Sequence, residues 1–342
     1  MAIQIGRRQL ISVLGGAAAL AGEAAMILQP TRVFAQSSGE IPRIALMSVG
    51  EETDPEFRKF VTAFEQGMRA AGWIIGVNVR LDYRWVGADP KRTTAAAAEI
   101  NGWKPTVIVA LGSPPAVALH RVTATIPIVF AGVSDPVGQG LVSNLAHPGG
   151  NITGFSNIEP GLGGKWLELL KKIVPDTTRV AVMFNPASSP YNELFERSVK
   201  DAASSLNVEV MQGRVHDDGE IERVFDQLAG ASKSGLIVPS DIFTFSRSST
   251  IVALATKHRL PAIYALRRFA VDGGLVAYGV DLADQIHSAA SYVDRIIKGA
   301  NPGDLPIQQP AKYTLVINLK TARALGLEIP HNVLALADEV IE

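Results

Sequence analysis

From Ile41 onward the chain alternates short apolar runs with amphipathic segments. Most runs are continuous and rich in β-branched residues, which is typical of strands buried on both faces of a parallel sheet. The segments between them repeat apolar side chains at helical spacing, and one begins at the start signal Asp54-Pro55 and ends near Gly72. This alternation predicts a doubly wound α/β architecture. The predicted strands are Ile44–Val49, Val77–Trp85, Val107–Leu111, Ile126–Phe130, Val180–Phe184, Val208–Val215, Leu236–Pro239, Ala262–Tyr264 and Leu275–Tyr278.

The alternation pauses in segments rich in glycine, at Val137–Gly161 and at Asp272–Asp281, and a third such segment is Ala300–Pro310. We interpret the three as crossings of a hinge between two parallel-sheet lobes. Lobe 1 would comprise residues 41–155 and about 281–310, and lobe 2 would comprise 156–280 and about 311–342. Long loops within one domain are the alternative interpretation.

Bulk composition excludes several classes of protein. Of the 342 residues, 47% are hydrophobic and 19% are charged, which suits a packed globular chain. The formal net charge is −1, so no basic field would attract nucleic acid. Because the chain has no cysteine, disulfides, thiolate metal sites and cysteine nucleophiles are excluded.

The first 35 residues have the pattern of an export signal. Arg7 and Arg8 precede a weakly apolar run, Leu10–Leu28, and small residues suited to signal peptidase end at Ala35. We predict that residues 1–35 form a signal peptide and that the mature protein is periplasmic. The paired arginines favour the twin-arginine route; an ordinary secretory signal and a retained membrane anchor are the alternatives.

Small polar groups follow the predicted strands, where open α/β sheets bind ligands. The strongest candidate is the helix opened by Ser113, whose free N–H groups and positive dipole end suit a carboxylate. Ser113 either caps this helix or also contacts the ligand, and Ala116 would supply an amide. The full set of predicted ligand-binding residues is Ser48, Gly112, Ser113, Ala116, Ser134, Asp135, Asn185, Ser240, Asp241, Arg267 and Asp281.

The charged candidates have structural alternatives. Asp241 and Asp281 either accept an ammonium group of the ligand or cap helices, and Asp135 either contacts ligand or starts a turn. Arg267 either pairs with a carboxylate or lies exposed on the surface.

Motifs for catalysis and metal binding are missing from the sequence. No G-x-G-x-x-G follows a strand, and neither a P-loop nor a G-x-S-x-G elbow occurs. The six histidines show no i, i+4 pair and no H-E-x-x-H. We therefore predict no catalytic residue, metal or cofactor, although a triad built from distant residues would leave no such motif.

Several stretches of the chain carry a family resemblance. They are Ala63–Arg69, Thr125–Phe130, Ser134–Gly138, His147–Gly154, Gly273–Gly279 and Leu315–Ala322. In these stretches the chain resembles the substrate-binding proteins of ABC importers, specifically the tryptophan and tyrosine group. The chain departs from that pattern at Ile75, Ala265 and Arg268, where acidic residues are common, at Ile286, where tyrosine is common, and at Pro115, where a small residue is usual.

The resemblance implies a type I periplasmic-binding-protein fold with a three-crossing hinge. It further implies a monomeric receptor that captures a small molecule, such as an aromatic amino acid or aromatic carboxylate, in a cleft between the lobes. The receptor would dock at the inner membrane surface on an ABC permease with its ATPase. The alternatives are an exported α/β hydrolase or isomerase and a ligand-sensing subunit of a signalling receptor.

Overall fold

The computed structural model describes residues 41–231 and 233–342. The predicted signal peptide, residues 1–35, lies outside the described residues. In the described part of the chain, no helix combines the length and the apolar character that a membrane span requires.

The first sheet has five parallel strands in the order β2-β1-β3-β4-β5. Its strands are β1 (Arg43–Ser48), β2 (Arg80–Trp85), β3 (Val107–Leu111), β4 (Ile128–Val133) and β5 (Ile152–Ser156). The helices that connect them are α1 (Pro55–Ala70), α2 (Pro90–Trp103) and α3 (Ser113–Val122). The side chain of Asp54 caps α1 by accepting the Glu56 amide at 2.8 Å, as the Asp54-Pro55 signal predicts.

The second sheet has seven strands in the order β12-β11-β10-β9-β8-β6-β7. Its strands are β6 (Arg179–Phe184), β7 (Glu209–Arg214), β8 (Ser234–Val238), β9 (Ala262–Tyr264), β10 (Val276–Val280), β11 (Tyr313–Asn318) and β12 (Glu339–Ile341). The helices of this half are α4 (Leu162–Ile173), α5 (Asn192–Leu206), α6 (Asp218–Ala229), α7 (Ile242–Phe245), α8 (Ser248–Lys257), α9 (Arg267–Val271), α11 (Leu319–Leu325) and α12 (His331–Leu334). The sheet is mixed, because β11 runs antiparallel to β10.

One helix from late in the chain, α10 (Leu282–Ile297), returns to the first sheet and packs beside α1. The two helices approach closely at Gly67, where an added Cβ would lie 2.4 Å from the carbonyl oxygen of His287. A 3₁₀ turn, Pro302–Asp304, follows α10. Gln308 still hydrogen-bonds to Gly154 and Ser156 of the first sheet, so the last passage to the second sheet begins after Gln308. The residue limits predicted for the two lobes stay a prediction.

Two of the predicted hinge segments cover too many residues, because each includes a strand. Strand β5 lies within Val137–Gly161, and β10 lies within Asp272–Asp281. Their glycines serve close approach of backbones: a Cβ on Gly154 would lie 2.1 Å from the carbonyl oxygen of Phe130, and one on Gly279 would lie 1.9 Å from that of Ala265. The sequence prediction also missed β11 and β12 entirely.

The strand order of each sheet reverses at one point. In the first sheet the chain moves from β1 outward to β2 and then back across to β3, so the switch point lies between β1 and β3. In the second sheet the corresponding switch lies between β6 and β8. Ligands of open α/β sheets bind beyond the carboxyl ends of the strands at such points, which directs attention to the loops after these four strands.

Candidate ligand-binding site

A cavity of about 280 Å³ lies between the two lobes, and its walls come from both switch points. On the first lobe, the wall contains Val49, which follows β1, Leu111, which ends β3, and Gly112, which follows β3. Tyr191 from the β6–α5 loop and Ser240 from the loop after β8 line it from the second lobe. The cavity therefore occupies the position that strand topology alone assigns to a ligand.

An aromatic cluster, Phe57, Phe60 and Phe245, forms an apolar part of the cavity wall. Phe57 and Phe60 lie in the first turns of α1, and Phe245 ends α7 of the other lobe. The rings of Phe57 and Phe245 meet edge to face with centroids 5.3 Å apart, and those of Phe57 and Phe60 do so at 5.6 Å. Edge-to-face packing is a favoured geometry for aromatic pairs. The contact between Phe57 and Phe245 therefore joins the two lobes beside an apolar part of the cavity.

A polar cluster, Ser113, Ser134, Asn157 and Tyr191, forms a second part of the site. The Ser113 hydroxyl accepts the Ser134 amide at 3.2 Å, and the Ser134 hydroxyl donates to Asn157 Oδ1 at 2.6 Å. Burial raises the pKa of Tyr191, the hydrogen bond with Ser189 opposes that rise, and the charge of Asp241 adds to it. Ser113, Asn157 and Tyr191 line the cavity, whereas Ser134 lies behind them and is buried.

The amino end of α3 differs from the predicted anion cradle. Gly112, with φ of 94°, stands at the cap position, and Ser113 is the first helical residue and caps nothing with its side chain. The Ala116 amide donates to the Gly112 carbonyl, and Ala116 is fully buried away from the cavity, so its predicted role is wrong. Pro114 and Pro115 have no N–H. Ser113 N–H is thus the one amide in this turn without an acceptor among the described residues.

Asp241 lines the cavity, but its carboxylate is occupied by four donors of the protein. Oδ1 accepts the hydroxyls of Ser188 and Ser189 and the amide of Phe243, at 2.8, 2.9 and 3.0 Å. Oδ2 accepts the amide of Asn185 at 2.8 Å. Asp241 thereby caps α7 and fixes the loop after β6, which is the structural alternative to an ammonium contact.

Asp281 also lines the cavity and caps a helix. Its Oδ1 accepts the Asp284 amide at 3.1 Å, and Lys312 lies 2.9 Å from Oδ2. Burial opposes the negative charge, yet the hydrogen bonds from Lys312 and from the Asp284 amide hold the pKa of Asp281 below its usual value. The carboxylate is consequently ionised and paired within the protein.

Two arginines of α9 reach the cleft, and both are paired. Arg267 forms a bidentate ion pair with Glu339, and both N–O distances are 2.7 Å. It lines the cavity and does not simply lie on the outer surface, but the carboxylate with which it pairs belongs to the protein and not to a ligand. Arg268 pairs with Asp272 at 2.9 Å and, across the lobes, with Asp54 at 3.2 Å. The Arg268–Asp54 pair joins α9 of one lobe to the amino end of α1 of the other.

Four predicted site residues support the site without lining it. Ser48 accepts the Gly50 amide at 3.2 Å, and Asn185 accepts the Ala187 amide at 2.8 Å. Asp135, at φ of 44°, accepts the Gly138 amide at 2.9 Å and starts a turn. Ser134 is the hydrogen-bonded centre of the polar cluster. These contacts fix the loops at the carboxyl ends of the strands.

Sequence reasoning missed a large part of the wall. The missed lining residues that bear on the chemistry are Glu56, Phe57, Lys59, Phe60, Asn157, Ile242 and Arg268. The available signal was the position of α1 directly after β1, because the switch point places the first turn of that helix over the cleft.

In the described residues, no group of three or more His, Asp or Glu side chains is arranged to hold a metal ion.

We predict that Asp241→Asn lowers the free energy of unfolding by roughly 2 kcal/mol or more, because an amide nitrogen would face buried donors. The matched control is Asp217→Asn, an exposed cap of α6 with one bond, to the Glu220 amide. Asparagine caps helices about as well as aspartate, so the control should change stability by a few tenths of a kcal/mol. Urea denaturation measures both, and equal small effects would contradict a structural role for Asp241.

Comparison with known proteins places this geometry in a family. The family model described as ABC transporter substrate binding protein matches residues 52–341. The tyrosine-binding protein of Clostridioides difficile is 27% identical over 274 residues, which cover 80% of this chain and 78% of that protein.

Solved structures agree. A conserved domain protein from Vibrio cholerae is 28% identical with a TM-score of 0.81, covering 88% of this chain and 100% of that one. The ABC domain of Streptococcus pneumoniae in complex with L-Trp is 24% identical with a TM-score of 0.81 and the same coverage. The predicted fold class is confirmed as the type I periplasmic-binding-protein fold. Since the family model spans most of its length, the chain belongs to the ABC transporter substrate-binding proteins.

Proposed function

We propose that the protein is an extracytoplasmic receptor of an ABC importer, which captures a small molecule between its lobes and delivers it to a membrane permease driven by an ATPase. The observation that carries this proposal is the cavity whose walls come from the switch points of both sheets. Family membership supports binding and transport rather than catalysis. The export signal predicted for residues 1–35 supports a periplasmic location.

The cavity favours a small ligand with an apolar body. Its volume of about 280 Å³ is near the lower end of the range for small-molecule sites, about 300–1,000 Å³. The aromatic cluster supplies faces and edges for stacking on a ring, to which Leu266 and Ile242 add aliphatic surface. The tyrosine-binding relative and the structure with L-Trp support an aromatic group in the ligand.

Ligand capture would work through closure of the lobes. A ligand shifts the equilibrium toward the closed form only as far as it binds that form more tightly than the open one. Contacts of the ligand with both lobes supply this difference, and hinge closure is the motion that periplasmic binding proteins use. Of the predicted site residues that line the cavity, we propose direct ligand contacts for Gly112, Ser113 and Ser240. Asp241, Arg267 and Asp281 line it as groups already paired within the protein. We further propose that the receptor acts as a monomer that docks on its permease at the inner membrane surface.

A thermal-shift screen tests the receptor function. Mature protein is unfolded, dialysed and refolded to remove bound ligand, then screened against amino acids, aromatic acids, amides, sugars and polyamines. At a hundredfold excess over its dissociation constant, a ligand stabilises the folded state by about 2.7 kcal/mol, so a clear rise in melting temperature is expected for at least one class. Failure of every class to shift the refolded protein would contradict the proposal.

Closure should also depend on the ion pair across the cleft. Asp54→Asn keeps the helix cap but removes the charge that faces Arg268. A partly exposed ion pair contributes about 0.2–1 kcal/mol, so ligand affinity should fall by up to about fivefold. The loss should shrink in high salt, because ions screen exposed charges.

The matched control is Asp89→Asn, which alters the exposed cap of α2, a helix that does not line the cavity. Titration calorimetry at low and high salt should give wild-type affinity for this control. Equal losses in the two variants, or a loss in Asp54→Asn that salt leaves unchanged, would show that the ion pair takes no part in closure.

A further inference from the structure

Resting on the proposed function, we propose that the ligand of this cleft has acceptor oxygens on an apolar body and carries no ammonium group. The chemical class is therefore an aromatic or aliphatic carboxylic acid or its amide, and not an amino acid. Three features of the cavity lead to this proposal: the state of its carboxylates, the state of its cations and the donors of its polar cluster.

Three carboxylates line the cavity, and each already has a donor or a cation of the protein beside it. Asp241 already has four donors, and Asp281 is paired with Lys312 and the Asp284 amide. An ammonium group buried without a partner is strongly disfavoured, because it loses its hydration with nothing in exchange.

Glu56 is the third carboxylate, and its surroundings are cationic. The Lys59 Nζ lies 3.4 Å from Oε2 of Glu56. The negative charge of Glu56 also acts on the guanidinium groups of Arg267 and Arg268 in the opposite lobe. Glu56 therefore already has a cation of the protein beside it, and a ligand ammonium would have to compete with Lys59 for this carboxylate.

The cations of the cavity are paired in turn. Arg267 is held bidentately by Glu339, and Arg268 by Asp272 and Asp54. With three acidic and three basic side chains on its wall, the cavity has no net formal charge. A ligand thus needs to supply neither charge, and a neutral hydrogen-bonding group is sufficient to orient it.

The polar cluster presents donors to the cavity. Asn157 is 9% exposed and lines the cavity, and its Oδ1 is taken by the Ser134 hydroxyl. Its amide nitrogen makes no hydrogen bond within residues 41–231 and 233–342, where Asn157 is bonded through Oδ1. The free Ser113 N–H lies at the amino end of α3, in the same wall. Both groups can donate to a ligand, and the dipole of α3 favours an acceptor oxygen with negative charge.

Matched ligand pairs test the inference. Titration calorimetry on the refolded protein compares L-tryptophan with 3-(indol-3-yl)propanoate, L-tyrosine with 3-(4-hydroxyphenyl)propanoate, and L-phenylalanine with 3-phenylpropanoate, together with the three propanamides. In the pair that fits the cavity, the compound without the amine should bind roughly tenfold tighter or more, because it leaves no ammonium unpaired. Equal or tighter binding of the amino acid would overturn the inference and leave the receptor function intact.

A variant pair separates recognition by Asn157 from a structural role. Asn157→Asp keeps the acceptor for Ser134 and replaces the donor with a negative charge, so affinity for the propanoate should fall roughly tenfold or more, and for the propanamide much less. Asn301→Asp changes an exposed cap of the 3₁₀ turn and should leave both affinities unchanged. Equal losses for acid and amide would contradict the proposed donor role.

The two proposals fail differently. Binding of only sugars or polyamines would overturn the ligand class and keep the receptor. Binding of none of the compounds in the pairs or in the wider screen would overturn both.

Discussion

The two sheets place the switch points of their strand order on opposite walls of one cleft, and the site depends on this arrangement. Buried parallel strands end together, so loops after β1 and β3 meet loops after β6 and β8. Helices α1 and α3 begin at that edge in the first lobe, and α7 and α9 begin there in the second. Every group on the wall comes from a strand end or from the first turns of a helix that follows one, apart from those on α10 and on the return strand β11.

Charge pairing determines what such a cleft can hold. The two carboxylates that the sequence suggests as ligand contacts instead bind donors of the protein. Asp241 fixes two loops, and Asp281 caps α10 beside Lys312. Neutral donors without a partner in the described part of the chain lie on Asn157 and on the Ser113 amide. Aromatic edges supply the remaining surface. A site of this kind recognises shape and acceptor oxygens, and it differs from one that pairs both charges of a zwitterion.

The sequence was informative wherever local chemistry decides the outcome. Continuous apolar runs located β3 and β9 at their observed limits, and Asp54 and Asp281 cap helices as their positions indicate. It failed where distant segments meet. Phe57 and Phe245 touch across 188 positions of sequence, which no local pattern encodes. The glycines of β5 and β10 resemble hinge residues, but the reason for them is steric contact with neighbouring backbones, which is visible only in three dimensions.

Ligand-driven closure of the two lobes changes the distance between them, and that distance can be measured directly. Because the chain has no cysteine, Lys91→Cys on α2 and Glu222→Cys on α6, both exposed, accept spin labels at those sites alone. Double electron–electron resonance on the refolded protein, with and without a ligand that calorimetry shows to bind, gives the distance distribution. If the ligand closes the lobes, saturating ligand will shorten and narrow the distance distribution. An unchanged distribution at saturation would contradict ligand-driven closure.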